Sequence, residues 1–175
     1  SLTQGNAYRK KTWPINKFIE LSKKIKIRQK VPVFFIERNE IDLINKIKSE
    51  VSDALFPELN LEKSCPALVT ALAQRLEKAI SIDNGVMHMM GLAKIPMVIL
   101  FGPTDPKKFA PSNDNIKIID SNINYNTDDL SKITVEEILN NILFLNILIF
   151  LILIIFNISS LHNLIFDLFE ELITI

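Results

Sequence analysis

Two short apolar runs each end in polar residues that could bind a ligand. The run Ala79–Ile82 is followed by DNGVMH at 83–88, and the run Met97–Phe101 is followed by GPTDP at 102–106. Where a strand, a polar turn and a helix follow one another, the N–H groups of the helix start favour a phosphate or a sugar oxygen. We therefore predict a ligand-binding edge over Ser81–Pro106.

The polar turn at 83–88 supplies several candidate contacts. Asp83 and Asn84 offer a carboxylate and an amide, and Gly85 permits a close backbone approach or a positive φ. His88 lies about one turn into the following helix and could face the same pocket. The alternative is structural: Asp83 or Asn84 is only the N-cap of the helix, and His88 is a half-buried packing residue.

The loop at 102–106 carries one hydroxyl, Thr104, and one carboxylate, Asp105, among two prolines. Prolines fix φ and lower the entropy of a loop before any ligand binds, so binding to it costs less in ordering. The alternative is a simple turn, for which this composition is also suited. Its position after a buried strand favours a ligand contact at Thr104.

The basic run RKK at 9–11 precedes Pro14, which suits the first turn of a helix. The charge of Lys11 and the dipole of that helix could act together on a diphosphate. Three basic residues in a row are also typical of a solvated surface, so this alternative stays open. We expect Trp13 to pack at the start of the helix rather than to stack on a base.

Two acids, Glu37 and Glu40, follow the apolar run VPVFFI at 31–36. A carboxylate in this position could accept hydrogen bonds from ribose hydroxyls, as in other doubly wound folds. The alternative, which we favour on the residues alone, is an acid that stabilises a helix start through the helix dipole.

Helix and strand patterns alternate along the chain. This alternation predicts βαβ units and an α/β fold, a Rossmann-like doubly wound parallel sheet with helices on both faces. Ligands bind outside the carboxyl ends of the strands in such sheets. Thr134 and Glu137 could form a capping box at the start of the last predicted helix, 134–142. The predicted helices are 15–25, 41–51, 66–76, 86–93 and 134–142, and the predicted strands are 31–36, 79–82, 97–101 and 116–119.

The composition excludes several classes of function. Lys+Arg and Asp+Glu balance at 20 each, so no strong positive field is available to hold nucleic acid. Cys65 is the only cysteine, which excludes an internal disulfide and leaves too few thiolates for a metal site. The sequence has no GxxxxGK[ST] loop, no GxGxxG fingerprint, no zinc-spaced ligand cluster and no G-x-S-x-G elbow. We predict no metal site.

Taken in order, the motifs resemble glycosyltransferase family 9, the ADP-heptose:lipopolysaccharide heptosyltransferases and their relatives. KTWP at 11–14 matches the family's Lys-x-Trp-Pro, and DNGVMH at 83–88 matches its Asp-Ser/Thr-Gly-x-x-His. IPMVILFGPTDP at 95–106 matches its x-Pro-x-x-x-Leu-Phe-Gly-Pro-Thr-x-Pro. The resemblance covers residues 1–142.

The resemblance implies a two-domain GT-B fold and an inverting transfer reaction. The C-terminal domain would bind a nucleotide-sugar, which we expect to be ADP-linked, without a metal. The N-terminal domain would hold the catalytic carboxylate and the acceptor, a lipopolysaccharide or related glycan. Lys11 would contact the diphosphate and Asp83 the sugar, with Glu40 near the ribose. The implied nucleotide-sugar-binding residues are Lys11, Glu40, Asp83, Asn84, Gly85, His88 and Thr104.

The sequence departs from the family pattern at two positions. Asn84 stands where the family has Ser or Thr, and Val86 where proline is common. The amide of Asn84 can still donate a hydrogen bond, so we expect binding to persist. We expect the N-terminal domain to be a missing partner, so that this chain alone binds a donor without transferring sugar. Alternatives are a non-catalytic nucleotide-binding or membrane-tethered module and an unrelated, flavodoxin-like regulator.

The composition changes sharply near Leu143. We predict a nucleotide-sugar-binding domain at 1–142 and an atypical, apolar helical tail at 143–175, rich in Ile, Leu, Phe and Asn. The apolar run 142–158 is short for a spanning helix, which needs about 20 residues, and no Lys or Arg flanks its C-terminal side. The tail is either a membrane anchor or an aberrant end translated from AT-rich sequence, which we favour. We expect a cytoplasmic location, with the inner membrane surface as an alternative site of peripheral attachment.

Overall fold

We describe the protein from a computed structural model, in residues 11–60 and 65–142. The chain divides into two compact units, 1–139 and 140–175. The predicted tail at 143–175 lies outside the described residues. In chain order the elements are α1 (Ile15–Ile27), α2 (Ile41–Glu50), a 3-10 helix (Pro57–Asn60), α3 (Pro66–Ala73), β1 (Ala79–Ile82), α4 (Gly85–Leu92), β2 (Met97–Phe101), α5 (Pro106–Phe109), β3 (Ile116–Asp120), α6 (Ser121–Tyr125), a second 3-10 helix (Leu130–Lys132) and α7 (135–142).

The three strands form a parallel sheet in the order β1-β2-β3. Ile82 at the end of β1 pairs with Leu100, and Phe101 at the end of β2 pairs with Asp120 of β3. The carboxyl ends of all three strands therefore lie at one edge. The prediction of an α/β fold with a parallel sheet is confirmed, and β1 and β2 have the predicted bounds. Within the part of the chain that the structure describes, no helix has the length and apolar content to cross a membrane.

Alternate residues of β2 face a hydrophobic core formed with α3 and α4. Strand side chains alternate between faces, so Met97, Ile99 and Phe101 share one face of the sheet. They pack in one cluster with residues of both helices. Every residue of β2 is buried, as expected for a central parallel strand with an unbroken apolar sequence. The buried members of the cluster are Phe35, Val69, Ala73, Ala79, Met87, Met90, Ile95, Met97, Ile99 and Phe101.

The prediction of a strand at 31–36 is wrong, although the run is buried at its centre. The segment forms isolated bridges at Val33 and Ile36 and no continuous strand. Val33 pairs with Leu55 in parallel, supported by a hydrogen bond from Phe34 N–H to the Leu55 carbonyl at 2.8 Å. Pro32 has no N–H to donate, and a turn closed by Ala54 N–H at 3.1 Å precedes Leu55, so the pairing with Leu55 does not extend toward the start of the run. The apolar run predicted burial correctly, but burial here does not require a sheet.

Trp13 anchors the start of α1 to the segment that precedes α7. Its side chain is fully buried, its indole N–H donates to the Ile133 carbonyl at 3.0 Å, and its ring meets Phe18 edge-on at 4.8 Å. Lys17 Nζ donates to the same carbonyl at 2.8 Å and to the Ser131 carbonyl at 2.5 Å. The prediction that Trp13 packs at the helix start is confirmed. This anchor fixes the backbone two residues after Lys11.

Candidate functional site

Asp83 lies at the centre of the candidate site, directly after β1. Its side chain is 8% exposed, and its Oδ2 accepts hydrogen bonds from Lys11 Nζ at 2.5 Å and from the Thr104 hydroxyl at 2.6 Å. The three residues come from segments before α1, after β1 and after β2. The structure therefore joins one residue from each motif that the sequence analysis identified.

The ion pair between Lys11 and Asp83 is shielded from water, because the Lys11 side chain is only 15% exposed. Partial burial strengthens the attraction and makes each charge depend on the other for compensation. Lys11 Nζ also lies 6.0 Å from the centre of the Phe109 ring, at the limit of a cation–π contact. Lys11 is therefore held at the edge of the sheet, and the alternative of a solvated surface is wrong for this residue.

Asn84 begins α4 as its N-cap, and its Oδ1 accepts a hydrogen bond from Met87 N–H at 3.1 Å. The N-cap role is therefore confirmed for Asn84, and a ligand contact by its amide stays a prediction. Asp83 instead directs its carboxylate to Lys11 and Thr104. The N–H groups at the start of a helix have no intrahelical acceptor, which leaves those of Gly85 and Val86 for another partner.

Gly85 and His88 both face solvent near this helix start. No glycine among the described residues has a positive φ, which excludes that alternative for Gly85 and leaves the close backbone approach as a prediction. No atom lies within 4 Å of an ideal Cβ built on Gly85, so the space beside its backbone is open. His88 is exposed, which contradicts the alternative of a half-buried packing residue. The structure thus leaves both residues accessible to a ligand.

Glu40 occupies the N-cap position of α2 and is half-buried, while Glu37 is exposed. The Glu40 N–H donates to the Glu37 carbonyl at 3.0 Å, and its side chain forms no capping bond. Across the described ranges, no hydrogen bond or ion pair joins Glu40 to Lys11, Asp83 or Thr104. The structure therefore agrees with an acid at a helix start, and the contact with a ribose stays a prediction.

The loop after β2 holds Thr104 in place from both sides. A Cβ added to Gly102 would lie 2.5 Å from the Asp128 carbonyl oxygen, so the backbone runs where only glycine fits. Asp105 caps α5 by accepting a hydrogen bond from the N–H two residues later at 2.9 Å. Between these fixed points Thr104 turns its hydroxyl to Asp83. The segment is a turn, as one interpretation held, and it also contributes a side chain to the site.

Polar residues that follow β3 lie at the same edge and were not among the predicted site residues. Asp120 is buried and accepts a hydrogen bond from Asn122 N–H at 2.9 Å, while the Asn122 side chain donates to the Gly102 carbonyl. Ser121 is fully buried, and its hydroxyl has no hydrogen-bond partner among the described residues. Polar residues after a buried strand were the signal used for the other two loops and would have found these. Phe109 was also missed and has no comparable signal.

The edge has the groups to bind an anion and a hydroxyl side by side. Lys11 and the N–H groups of α4 supply positive potential, whereas the Asp83 carboxylate accepts hydrogen bonds. In residues 11–60 and 65–142 no three His, Cys, Asp or Glu side chains are placed to hold one metal ion. The arrangement suits an anionic ligand that also carries hydroxyl groups.

Several solved structures share the fold of this chain. An E. coli heptosyltransferase WaaC with ADP has a TM-score of 0.67 at 17% identity, over 83% of this chain and 42% of the other. An E. coli ADP-heptose LPS heptosyltransferase II has a TM-score of 0.64 at 19% identity, over 77% and 42%. A glycosyl transferase family 9 protein from Veillonella parvula has a TM-score of 0.67 at 19% identity, over 78% and 42%. The chain therefore spans about two fifths of the length of these structures.

Comparison with curated protein sequences gave no significant match. The model of the family described as glycosyltransferase family 9 (heptosyltransferase), however, matches residues 2–139, which is most of the chain. The matched range contains Lys11, Asp83 and Thr104, the residues that meet at the carboxyl edge of the sheet. The chain belongs to glycosyltransferase family 9.

Proposed function

We propose that this chain is the donor-binding domain of a heptosyltransferase-like glycosyltransferase and binds a nucleotide-sugar. The observation that carries this proposal is the convergence of Lys11, Asp83 and Thr104 beside the N-terminus of α4. A nucleotide-sugar has an anionic diphosphate next to a ring of hydroxyl groups, and this edge offers a partner for each.

The two parts of the ligand would bind to different groups. The diphosphate would lie against the N–H groups of Gly85 and Val86 and the exposed His88, and it would draw Lys11 toward it. The sugar hydroxyls would donate to Asp83, because a carboxylate accepts hydrogen bonds and repels phosphate. The amide of Asn84 and a ribose contact at Glu40 complete the site that we propose.

We propose an ADP-linked donor because the solved structures similar to this chain include one with ADP and one with ADP-2-deoxy-2-fluoro heptose. The acceptor would be a lipopolysaccharide-type glycan, and transfer would require a second domain with the catalytic carboxylate. The reaction would take place in the cytoplasm or at the inner membrane surface. Binding would need no metal, so we expect EDTA to leave the donor affinity unchanged.

A thermal-shift screen with ADP-, GDP- and UDP-linked sugars tests donor binding. A ligand at about 100 times its dissociation constant adds about 2.7 kcal/mol to the free energy of unfolding, which is readily detected. We expect ADP-heptose to raise the Tm most. The absence of any shift with all three classes of donor, at millimolar concentrations, would contradict the proposal.

Substitutions at Lys11 and His88 test whether binding occurs at this edge. We expect Lys11→Ala and His88→Ala each to weaken ADP-heptose binding at least about tenfold, because each removes a partner of the diphosphate. Lys117→Ala, which removes an exposed lysine from β3, is the matched control and should bind like the wild type. The Tm of each unliganded variant separates lost affinity from lost stability. Unchanged affinity in both site variants would place the ligand elsewhere.

A further inference from the structure

The two donors that reach Asp83 bond the same carboxylate oxygen. Lys11 Nζ and the Thr104 hydroxyl both donate to Oδ2, and no described residue donates to Oδ1. We propose that Thr104 is a positioning residue: it holds Asp83 so that Oδ1 accepts a hydrogen bond from a sugar hydroxyl, and it does not itself contact the ligand. This inference rests on the proposed function and assigns Thr104 a role different from the nucleotide-sugar contact that its motif implies.

The loop around Thr104 is suited to hold another side chain. Pro103 and Pro106 fix φ on either side, and Gly102 is packed too closely against the Asp128 carbonyl to shift toward it. The β-branched side chain of threonine has few χ1 rotamers, so its hydroxyl has a defined direction. Thr104 therefore brings a preformed donor to Asp83 with little loss of entropy.

Asp83 needs such a donor because its carboxylate can otherwise rotate. The terminal torsion of an aspartate is broad, and the ion pair to Lys11 depends on a long, flexible side chain. A diphosphate would compete with Asp83 for the Lys11 ammonium. Thr104 would then be the one described donor that still holds Oδ2, so its hydroxyl matters most in the complex with the ligand.

The position of Oδ1 predicts which part of the ligand depends on Thr104. An anionic acceptor binds hydroxyl donors and repels phosphate oxygens, so Asp83 would recognise the sugar and not the nucleotide. Loss of the Thr104 hydroxyl should therefore weaken binding of ADP-heptose and leave binding of ADP unchanged. A general structural defect would weaken both ligands.

Calorimetric titration of the full chain with ADP-heptose and with ADP tests the inference. We expect Thr104→Val to weaken ADP-heptose about five- to tenfold, as for the net loss of one typical hydrogen bond, and to leave ADP within twofold. Thr104→Ser retains the hydroxyl and should restore ADP-heptose binding. Thr70→Val is the matched control, because it removes a hydroxyl that bonds the Pro66 and Met89 carbonyls instead of Asp83.

The same substitution in an Asp83→Ala background separates positioning from direct contact. Thr104→Val should have no further effect on ADP-heptose binding there, because it acts through Asp83. An equal loss in both backgrounds, or unchanged ADP-heptose binding by Thr104→Val alone, would overturn the inference while the proposed function stands. If the wild type binds neither ligand, the proposed function itself fails.

The ¹³C resonance of the Asp83 carboxylate at pH 7 provides a ligand-free measurement. We expect its chemical shift to change in Thr104→Val and to stay the same in Thr104→Ser. An unchanged chemical shift in Thr104→Val would contradict the inference.

Discussion

At the scale of single residues, two glycines at the carboxyl edge have opposite surroundings. A Cβ on Gly102 would meet the Asp128 carbonyl oxygen at 2.5 Å and a Leu130 methyl carbon at 2.8 Å, whereas a Cβ on Gly85 would meet nothing within 4 Å. Neither glycine has a positive φ. Packing in the chain itself therefore explains Gly102, whereas the described residues leave room for a side chain at residue 85.

The contrast predicts different results for two alanine substitutions. We expect Gly85→Ala to leave the free energy of unfolding unchanged or to raise it by up to about 1 kcal/mol, because alanine is the better helix former. The same substitution should weaken ADP-heptose at least about tenfold, because the methyl group fills the space beside the backbone. Gly102→Ala is the control and should lower the free energy of unfolding by about 1–3 kcal/mol. Urea unfolding and calorimetric titration measure both quantities. Donor binding by Gly85→Ala equal to that of the wild type would argue against a close ligand approach at residue 85.

Single residues of the site could be predicted from sequence by type and position, but their contacts could not. Asp83 and Thr104 each follow a buried strand, so parallel pairing of β1 and β2 brings them to one edge. Lys11 lies 72 residues from Asp83 along the chain. No sequence pattern near Lys11 predicts which carboxylate its long, flexible side chain will contact. The distinction between a ligand contact and a positioning role at Thr104 depends on which carboxylate oxygen accepts its bond.

At the scale of elements, α6 and α7 are joined through Glu137. The Thr134 hydroxyl accepts a hydrogen bond from Glu137 N–H at 3.1 Å, which is one of the two hydrogen bonds of the predicted capping box. The Glu137 carboxylate accepts hydrogen bonds from the Tyr125 hydroxyl and from the Asn124 side chain. The hydrogen bond to Glu137 is the main cause that raises the pKa of Tyr125, with burial and the negative charge of Glu137 adding to it.

The raised pKa of Tyr125 predicts a change in stability at alkaline pH. The folded-state pKa lies above the unfolded value of about 10, so the contribution to stability is fully present below pH 10 and is lost as the pH rises through the folded-state pKa. Tyrosinate absorbance at 295 nm, with Tyr125→Phe subtracted, gives the titration curve of this residue. In Glu137→Gln the pKa should fall toward 10, and the alkaline loss of stability should shrink. Identical titration curves for Glu137→Gln and the wild type would contradict this assignment.

Helices and strands could be predicted from sequence where the local residue pattern alone determines the structure of the segment. The runs at 79–82 and 97–101 are short, apolar and followed by turns, and they form strands with these bounds. The run at 31–36 is also apolar but forms isolated bridges at Val33 and Ile36, because strand formation depends on a partner segment that its own sequence does not specify. Composition predicts burial, and the partner decides whether a ladder forms.

At the scale of the whole molecule, the beginning and end of the first unit are joined at Trp13. Its indole N–H bonds the Ile133 carbonyl across 120 residues of sequence, and Lys17 bonds the same carbonyl. The sequence predicted that Trp13 packs at a helix start. It did not predict the hydrogen-bond acceptor of the indole N–H, because no local pattern indicates a contact with a residue so far along the chain. The anchor fixes the segment that carries Lys11, so it couples global stability to the geometry of the site.

Replacement of Trp13 by phenylalanine tests this coupling. Trp13→Phe removes the indole hydrogen bond and leaves a small cavity, while Lys17 still donates to the Ile133 carbonyl, so that acceptor is not left unpaired. We expect the free energy of unfolding to fall by about 1–2 kcal/mol and ADP-heptose affinity to fall with it, because Lys11 loses its fixed position. Ile27→Ala, at a side chain that is 84% exposed, is the control and should change stability by less than about 0.5 kcal/mol. A Trp13→Phe variant that loses stability but binds ADP-heptose like the wild type would show that the anchor supports the fold alone, with Lys11 held by Asp83.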